Sequence, residues 1–287
     1  MDKPLFQSTD FDEGMSLYKQ GRVSQALTRF MTAASQQPDW PQAQHNVANC
    51  LRALGRNKEA ISAYRKVLLI NPRFAASLND LAVALDKAGE LDEALALREK
   101  VVEYTVKGRE YAYLNYGNSL ARSGRVEEAI ESYRASIAIN PGYATAHHNL
   151  GKRFDEQGRF EEASDCYRQA LRCDSEDIDA LRSLAYSLSK LKRTDEAIPV
   201  WEDFLKRQPR NSSAITSLAA CVLVRAIETD SPHMLSRCLA LLRKALWLNP
   251  RNIGAWFLLR EYLTTDKNHP GIHKQNTADN ETQDLSA

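Results

Sequence analysis

An alanine set in the phrase Glu-Ala-x or a variant of it recurs at Ala26, Ala60, Ala94, Ala129, Ala163 and Ala197, in steps of 34, 34, 35, 34 and 34 residues. A fixed period of this length is the signature of like supersecondary units stacked in a row, each packing mainly on its neighbours. Two further markers keep the same beat. Glycine stands near the middle of five units, at Gly21, Gly55, Gly89, Gly124 and Gly158, and proline closes most of them, at Pro38, Pro72, Pro141, Pro209 and Pro250. Val106 and Ser175 stand where two more prolines would fall.

Within a unit the pattern reads helix, tight turn, helix. In LGRNKEAISAYRKVLLINP, Gly55 sits where a first helix ends in a left-handed residue. Ala60, Ile61, Tyr64, Val67 and Leu68 then form an i, i+3, i+4, i+7 stripe, and Asn71-Pro72 stops it. The preceding helix carries Ala43, Val47, Ala48 and Leu51 on its inner stripe. Neither helix alone hides its stripe, so the pairs must stack. Close packing explains the small residues at one place on each first helix: Gly14, Ala48, Ala82, Gly117, Gly151, Ala185 and Ala219. Phe30, Tyr64, Tyr133, Tyr167 and Trp201 supply the complementary knobs on the second helices.

The pattern of small residue, aromatic, alanine and proline resembles the tetratricopeptide repeat family, most closely in YLNYGNSLARSGRVEEAIESYRASIAINP and AHHNLGKRFDEQGRFEEASDCYRQAL. The resemblance implies an all-α fold, a right-handed superhelical solenoid of about seven helix-turn-helix units plus a C-terminal capping helix. The expected units are 7–40, 41–74, 75–109, 110–143, 144–177, 178–211 and 212–252, with the capping helix at 253–264, a short extension at 1–6 and a polar, aperiodic, disordered tail at 265–287. Three departures stand out. Arg98 replaces an aromatic in the third unit, whose extra residue falls in TVKGREY; Pro199 lies in the second helix of the sixth; and the seventh is longer by about seven residues, restarting at Ser231-Pro232.

The resemblance further implies that the first helices line a concave groove that holds a segment of another protein. The positions expected to face it are His45, Asn46, Asn49, Asn79, Asp80 and Val83, then Leu114, Asn115, Asn118, His148, Asn149, Lys152, Arg182, Ser183 and Tyr186. Asn46, Asn115 and Asn149 share one register, interrupted by Asp80 and Ser183, and resemble the asparagine ladders of peptide-binding repeat proteins. An amide side chain can satisfy any peptide backbone, but it can equally bridge neighbouring helices, and both roles stay open. A carboxylate clamp of the kind that grips chaperone C-termini is not assembled: its opening lysine position holds Phe11, His45, Asn79, Leu114 or His148.

Composition narrows the function classes. Thirty-eight basic against 37 acidic residues give a formal net charge of +1, so no global field draws the chain to nucleic acid or to a membrane. Asp80, Asp86, Asp155 and Glu156 are expected to interrupt the first-helix face, which argues further against RNA. Five scattered cysteines without a CxxC pair suggest reduced thiols rather than a disulfide framework or zinc site. No phosphate loop, HExxH or serine elbow is present, and Glu127-Glu128 and Glu161-Glu162 fall at second-helix starts, where acids complement the helix dipole. The acidic N-terminus is unlike a signal peptide, and no uninterrupted apolar run of about 18 residues occurs. The expectation is a non-catalytic cytoplasmic scaffold or adaptor with no cofactor, metal, small-molecule substrate, nucleic acid or membrane partner, holding a peptide across units two to five. The alternative is self-assembly through the C-terminal units, where Trp247, Trp256 and Phe257 offer apolar surface unless the cap buries them.

Overall fold

The computed structural model describes residues 8–268, and every regular element among them is an α-helix. The helices form two compact units, one up to Pro141 and one from Gly142. The first contains α1 (Thr9–Lys19), α2 (Val23–Gln36), α3 (Pro41–Ala53), α4 (Asn57–Ile70), α5 (Ala75–Ala88), α6 (Leu91–Tyr104), α7 (Arg109–Arg122) and α8 (Val126–Ile139). The second contains α9 (Ala144–Glu156), α10 (Phe160–Cys173), α11 (Ile178–Lys190), α12 (Thr194–Arg207), α13 (Ser212–Thr229), α14 (Pro232–Leu248) and α15 (Ile253–Asn268). Within each unit consecutive helices pack as antiparallel hairpins, and each hairpin packs on the next.

The turns follow from local chemistry. Gly21, Gly55, Gly89, Gly124 and Gly158 all have φ between +73° and +85°, the left-handed conformation that satisfies the carbonyls at a helix end without a Cβ clash. The sixth hairpin has Lys192 at this place, with φ +57°. The Asn-Pro stop has a second component: Asn71 Oδ1 accepts the Arg73 amide at 3.1 Å, Asn249 Oδ1 accepts that of Arg251 at 3.1 Å, and Asp174 does the same for Glu176 at 3.0 Å, where Ser175 replaces proline. These side-chain turns hold the chain out of the helix whether or not a proline follows.

Among the described residues, four second helices begin at an arginine whose guanidinium turns back onto the glutamate three residues later. Arg56 binds Glu59 through two contacts of 2.7 Å, Arg125 binds Glu128 through two of 2.6 Å, and Arg159–Glu162 and Arg193–Glu196 repeat the motif. The pairs are largely exposed and contribute little to stability, but they fix how the chain enters the helix. Pro199 is the sixth residue of α12, past the first turn, so its missing N–H removes one helical hydrogen bond.

The core of each unit is built of interlocked side chains. Phe30, Tyr64, Tyr133 and Tyr167 are at most 2 % exposed, as are Ala26, Ala60, Ala129 and Ala163. A Cβ placed on Gly117 would lie 2.7 Å from the Tyr133 ring, and one on Gly14 would lie 2.7 Å from Phe30, which is why the first helix is bare at these points. The third hairpin solves the same problem with charge. Arg98, buried among the knobs, donates to Asp86 Oδ2 at 2.9 Å, and Asp86 also meets Arg122 at 3.3 Å and Ser119 at 3.5 Å. Asp86 therefore does not interrupt the first-helix face as expected; it is buried beneath it.

The long α13 runs 18 residues with a mean hydropathy of 1.3, a length and composition that could cross a membrane. Ile215, Leu218, Ala219, Val222 and Ala226 are nonetheless buried, and α13 packs against α12, α14 and α15, which makes it a core helix of the second unit. Ser231 caps α14 by accepting the Met234 amide, with Pro232 in the first turn. Helix α15 packs on α13 and α14 and extends to Asn268, so residues 265–268, expected in the tail, continue the helix; the rest of that tail and the extension at 1–6 lie outside the described residues.

Candidate functional site

Each second-helix knob with a polar tip sends it to the first helix of its own hairpin, to a residue 12 or 15 positions earlier. Tyr64 Oη donates to Asn49 Oδ1 at 2.5 Å and accepts from Arg52 Nε at 3.2 Å. Tyr133 Oη donates to Asn118 Oδ1 at 2.8 Å, Tyr167 Oη to Asp155 Oδ2 at 2.9 Å, and Trp201 Nε1 to Ser189 Oγ at 3.0 Å. A second set of bonds links neighbouring first helices within each unit. His45 Nδ1 lies 2.8 Å from Ser77 Oγ, Ser187 Oγ donates to Asp155 Oδ1 at 2.7 Å, and Ser189 Oγ lies 3.1 Å from Cys221 Sγ. Much of the polar first-helix register is thus engaged within the stack.

The expected groove residues divide accordingly. His45 packs between the rings of Tyr64 and Phe74, faces Asp80 Oδ2 at 3.6 Å, and touches Asn49 Nδ2 at 3.0 Å. Burial holds its imidazole below the ordinary histidine range, opposed by Asp80 and assisted by Arg52. Asn46 donates to the Gln42 carbonyl of its own helix at 2.9 Å, and Asn79 accepts from Arg98 at 3.3 Å. His148 lies 3.2 Å from Asp177 and edge-on to Tyr167. Asn115 and Asn149 are half-buried, while Lys152, Arg182 and Tyr186 are exposed. Leu114 is 6 % exposed and belongs to the core, not the groove, because it sits one position round the helix from Asn115.

Arg182 and Tyr186, one turn apart on α11, come together in the second unit at the mouth of an open cavity of about 410 Å3. Its walls are Asp155 of α9, Ser183 of α11, Trp201 of α12, and Asn211, Ser213, Ala214 and Ser217 at the start of α13. Arg182 rests on Asp179 at 2.9 Å, and the Tyr186 ring meets Phe160 edge-on with Lys190 over its face. Asp155 takes hydrogen bonds from Tyr167 and Ser187, yet burial dominates and raises its carboxyl above the ordinary aspartate range. The lining offers hydroxyls, a carboxylate, a guanidinium and a phenol beside the buried indole of Trp201, a set that suits a peptide backbone better than a reacting small molecule.

Asp155 lies on the first-helix face as expected, whereas Asn211, Ser213 and Ser217 are not among the positions that the sequence assigns to the groove. The signal existed in the register, since Ser217 stands one period after Ser183, but nothing in the sequence says that α13 starts close enough to α11 to share a wall.

The tetratricopeptide repeat family matches residues 11–77 and 148–212, residues 51–114, and residues 108–176. The chain is 27% identical over 136 residues, 46% of its length, to 15% of the human Protein O-mannosyl-transferase TMTC1. It is 31% identical over 83 residues, 29% of its length, to 23% of the Small glutamine-rich tetratricopeptide repeat-containing protein 2 of Mycosarcoma maydis. The chain therefore spans less than a quarter of either relative. In structure it resembles the C-terminal part of a TPR repeat-containing protein from Cytophaga hutchinsonii, with a TM-score of 0.70 and 17% identity over 85% of this chain and 97% of that one. Matched period, knob-and-small-residue packing and helical pairing agree: the chain is a member of the tetratricopeptide repeat family, an all-α solenoid of helix-turn-helix units.

Proposed function

We propose that this protein is a non-catalytic scaffold or adaptor, and that the first-helix face of α9, α11 and α13 receives an extended or helical segment of a protein partner. The observation that carries the reading is the cavity between α11 and α13. It is open to solvent, it is polar without being charged throughout, and Arg182 and Tyr186 at its mouth do no work in the core. A half-buried carboxylate and several hydroxyls around an open cavity are the features expected of a site that binds a peptide segment. We place the protein in the cytoplasm, a reading supported by its five scattered cysteines, which lack the paired spacing of a disulfide framework.

A photo-crosslinking residue at Ser217, inside the cavity, should trap a defined partner in extracts of the native cells, whereas the same residue at Gln169, on the outer side of α10, should not. Arg182→Ala combined with Tyr186→Ala should abolish the Ser217 adduct while leaving the unfolding free energy within about 0.5 kcal/mol of the parent, as for other exposed sites. Equal labelling from both positions, or an adduct indifferent to the double variant, would remove this site from consideration.

A further inference from the structure

We infer that the outer face of α15, together with the end of α14, docks on an anionic lipid bilayer. Helix α15 is a first helix whose second helix is not among the described residues. Six, ten and thirteen residues after the unit-closing position Pro209 lie Ile215, Ala219 and Val222, at most 1 % exposed. The same steps after Pro250 reach Trp256, Arg260 and Leu263, all exposed. Ile253, Trp256, Phe257, Arg260 and Leu263 follow an i, i+3, i+4, i+7, i+10 spacing and share one face, opposite the buried Ala255 and Tyr262. Trp256 Nε1 donates to the Pro250 carbonyl at 2.9 Å, which sets its indole on the turn that follows the 77 % exposed Trp247.

Charge supplies the second observation. Between Ser231 and Leu263 the chain carries Arg237, Arg243, Lys244, Arg251 and Arg260 against a single acid, Glu261. Arg237 is paired with Glu202; the other four cations are exposed, and among the described residues none of them forms an ion pair. Exposed tryptophans and aliphatics interleaved with free cations are the composition of an interfacial membrane anchor.

The alternatives fit less well. A second copy seated face to face would set cation on cation. A helix completing an eighth hairpin would have to approach closely where every other first helix has glycine or alanine and this one has Arg260. Single-stranded nucleic acid could stack on Trp256 and Phe257 but would leave Ile253 and Leu263 in water. The surface departs from the absence of a membrane partner expected from a net charge of +1, because that sum averages a basic end with acidic hairpins elsewhere.

The test is co-sedimentation of the full chain with phosphatidylcholine vesicles, with and without phosphatidylglycerol, alongside quenching of tryptophan fluorescence by lipids brominated in the acyl chain. Trp40 and Trp201 are buried, so quenching reports Trp247 and Trp256. Retention is expected only with the anionic lipid, with quenching. Replacing Arg243→Gln, Lys244→Gln and Arg251→Gln together should weaken retention on the order of a hundredfold. Trp256→Ser with Phe257→Ser should reduce the quenching to what Trp247 contributes, without changing the circular dichroism. The inference is overturned by no retention, by retention without quenching, or by shielding of Trp247 and Trp256 from acrylamide in the free chain. It is equally overturned by a dimer, or an RNA complex, that is lost in these variants while vesicles stay unbound.

Discussion

Arg98 of α6 and Asp86 of α5 form a buried ion pair, Nη2 to Oδ2 at 2.9 Å with the two side chains 7 % and 4 % exposed, at the place where other hairpins set a tyrosine or tryptophan against the first helix. The two substitutions belong together: the knob that became a cation is matched by a carboxylate 12 residues earlier, where Tyr64 has Arg52 and Tyr167 has Asp155.

Removing Arg98 leaves the buried Asp86 carboxylate with only Ser119 and the largely exposed Arg122 facing it. Arg98→Leu should therefore destabilise the first unit by about 3 kcal/mol, whereas Arg98→Tyr with Asp86→Ser, which restores a polar-tipped ring, should be neutral or stabilising. Urea denaturation followed by far-ultraviolet circular dichroism separates the outcomes. A double variant no better than the single one would show that the charges themselves are required.

Lys192 holds a left-handed conformation that five other hairpins assign to glycine, at φ +57°. Lys192→Gly should stabilise the second unit by about 1 kcal/mol, since the Cβ clash is relieved and the residue is exposed. The thermal midpoint would rise; a fall would mean that unfolded-state entropy outweighs strain.

The His45 imidazole is held below 6.5 in the folded chain, so below that pH the unfolded state takes up a proton that the folded state refuses. Stability should be at its full value above about 6.5 and decline as the pH falls toward the folded pKa. His45→Gln should flatten that part of the denaturation-versus-pH curve. An unchanged slope would assign the acid sensitivity to other groups.

Cysteine reactivity should sort by burial. Burial pushes the Cys50 thiol up to about 11, the Cys238 thiol up to about 12, and Cys221 upward as well, while Cys173 is exposed and Cys166 half-buried. Native labelling with a maleimide, read by mass spectrometry, should modify Cys173 first and Cys166 more slowly, with the other three reacting only on unfolding. Early modification of Cys50 would indicate that the first unit opens locally.

The period alone determined a great deal. Alanine every 34 or 35 residues, glycine at midpoints and proline at ends dictate helical hairpins, because a stripe that cannot be hidden within one short helix must be covered by the next. Arg98 was visible as an anomaly and Ser231-Pro232 as a restart for the same reason: each breaks or sets a local rule.

Only the tertiary structure decided which polar residues are free. Asn49 and Asn118 look like Asn115 in sequence, yet two of the three carry a tyrosine hydroxyl; Asp86 reads as surface and is buried; Trp256 and Phe257 were as consistent with a covered cap and are exposed. A periodic pattern fixes which face of a helix a residue occupies. Whether that face meets a partner depends on a neighbour brought near by packing, and packing depends on distances the one-dimensional pattern does not contain.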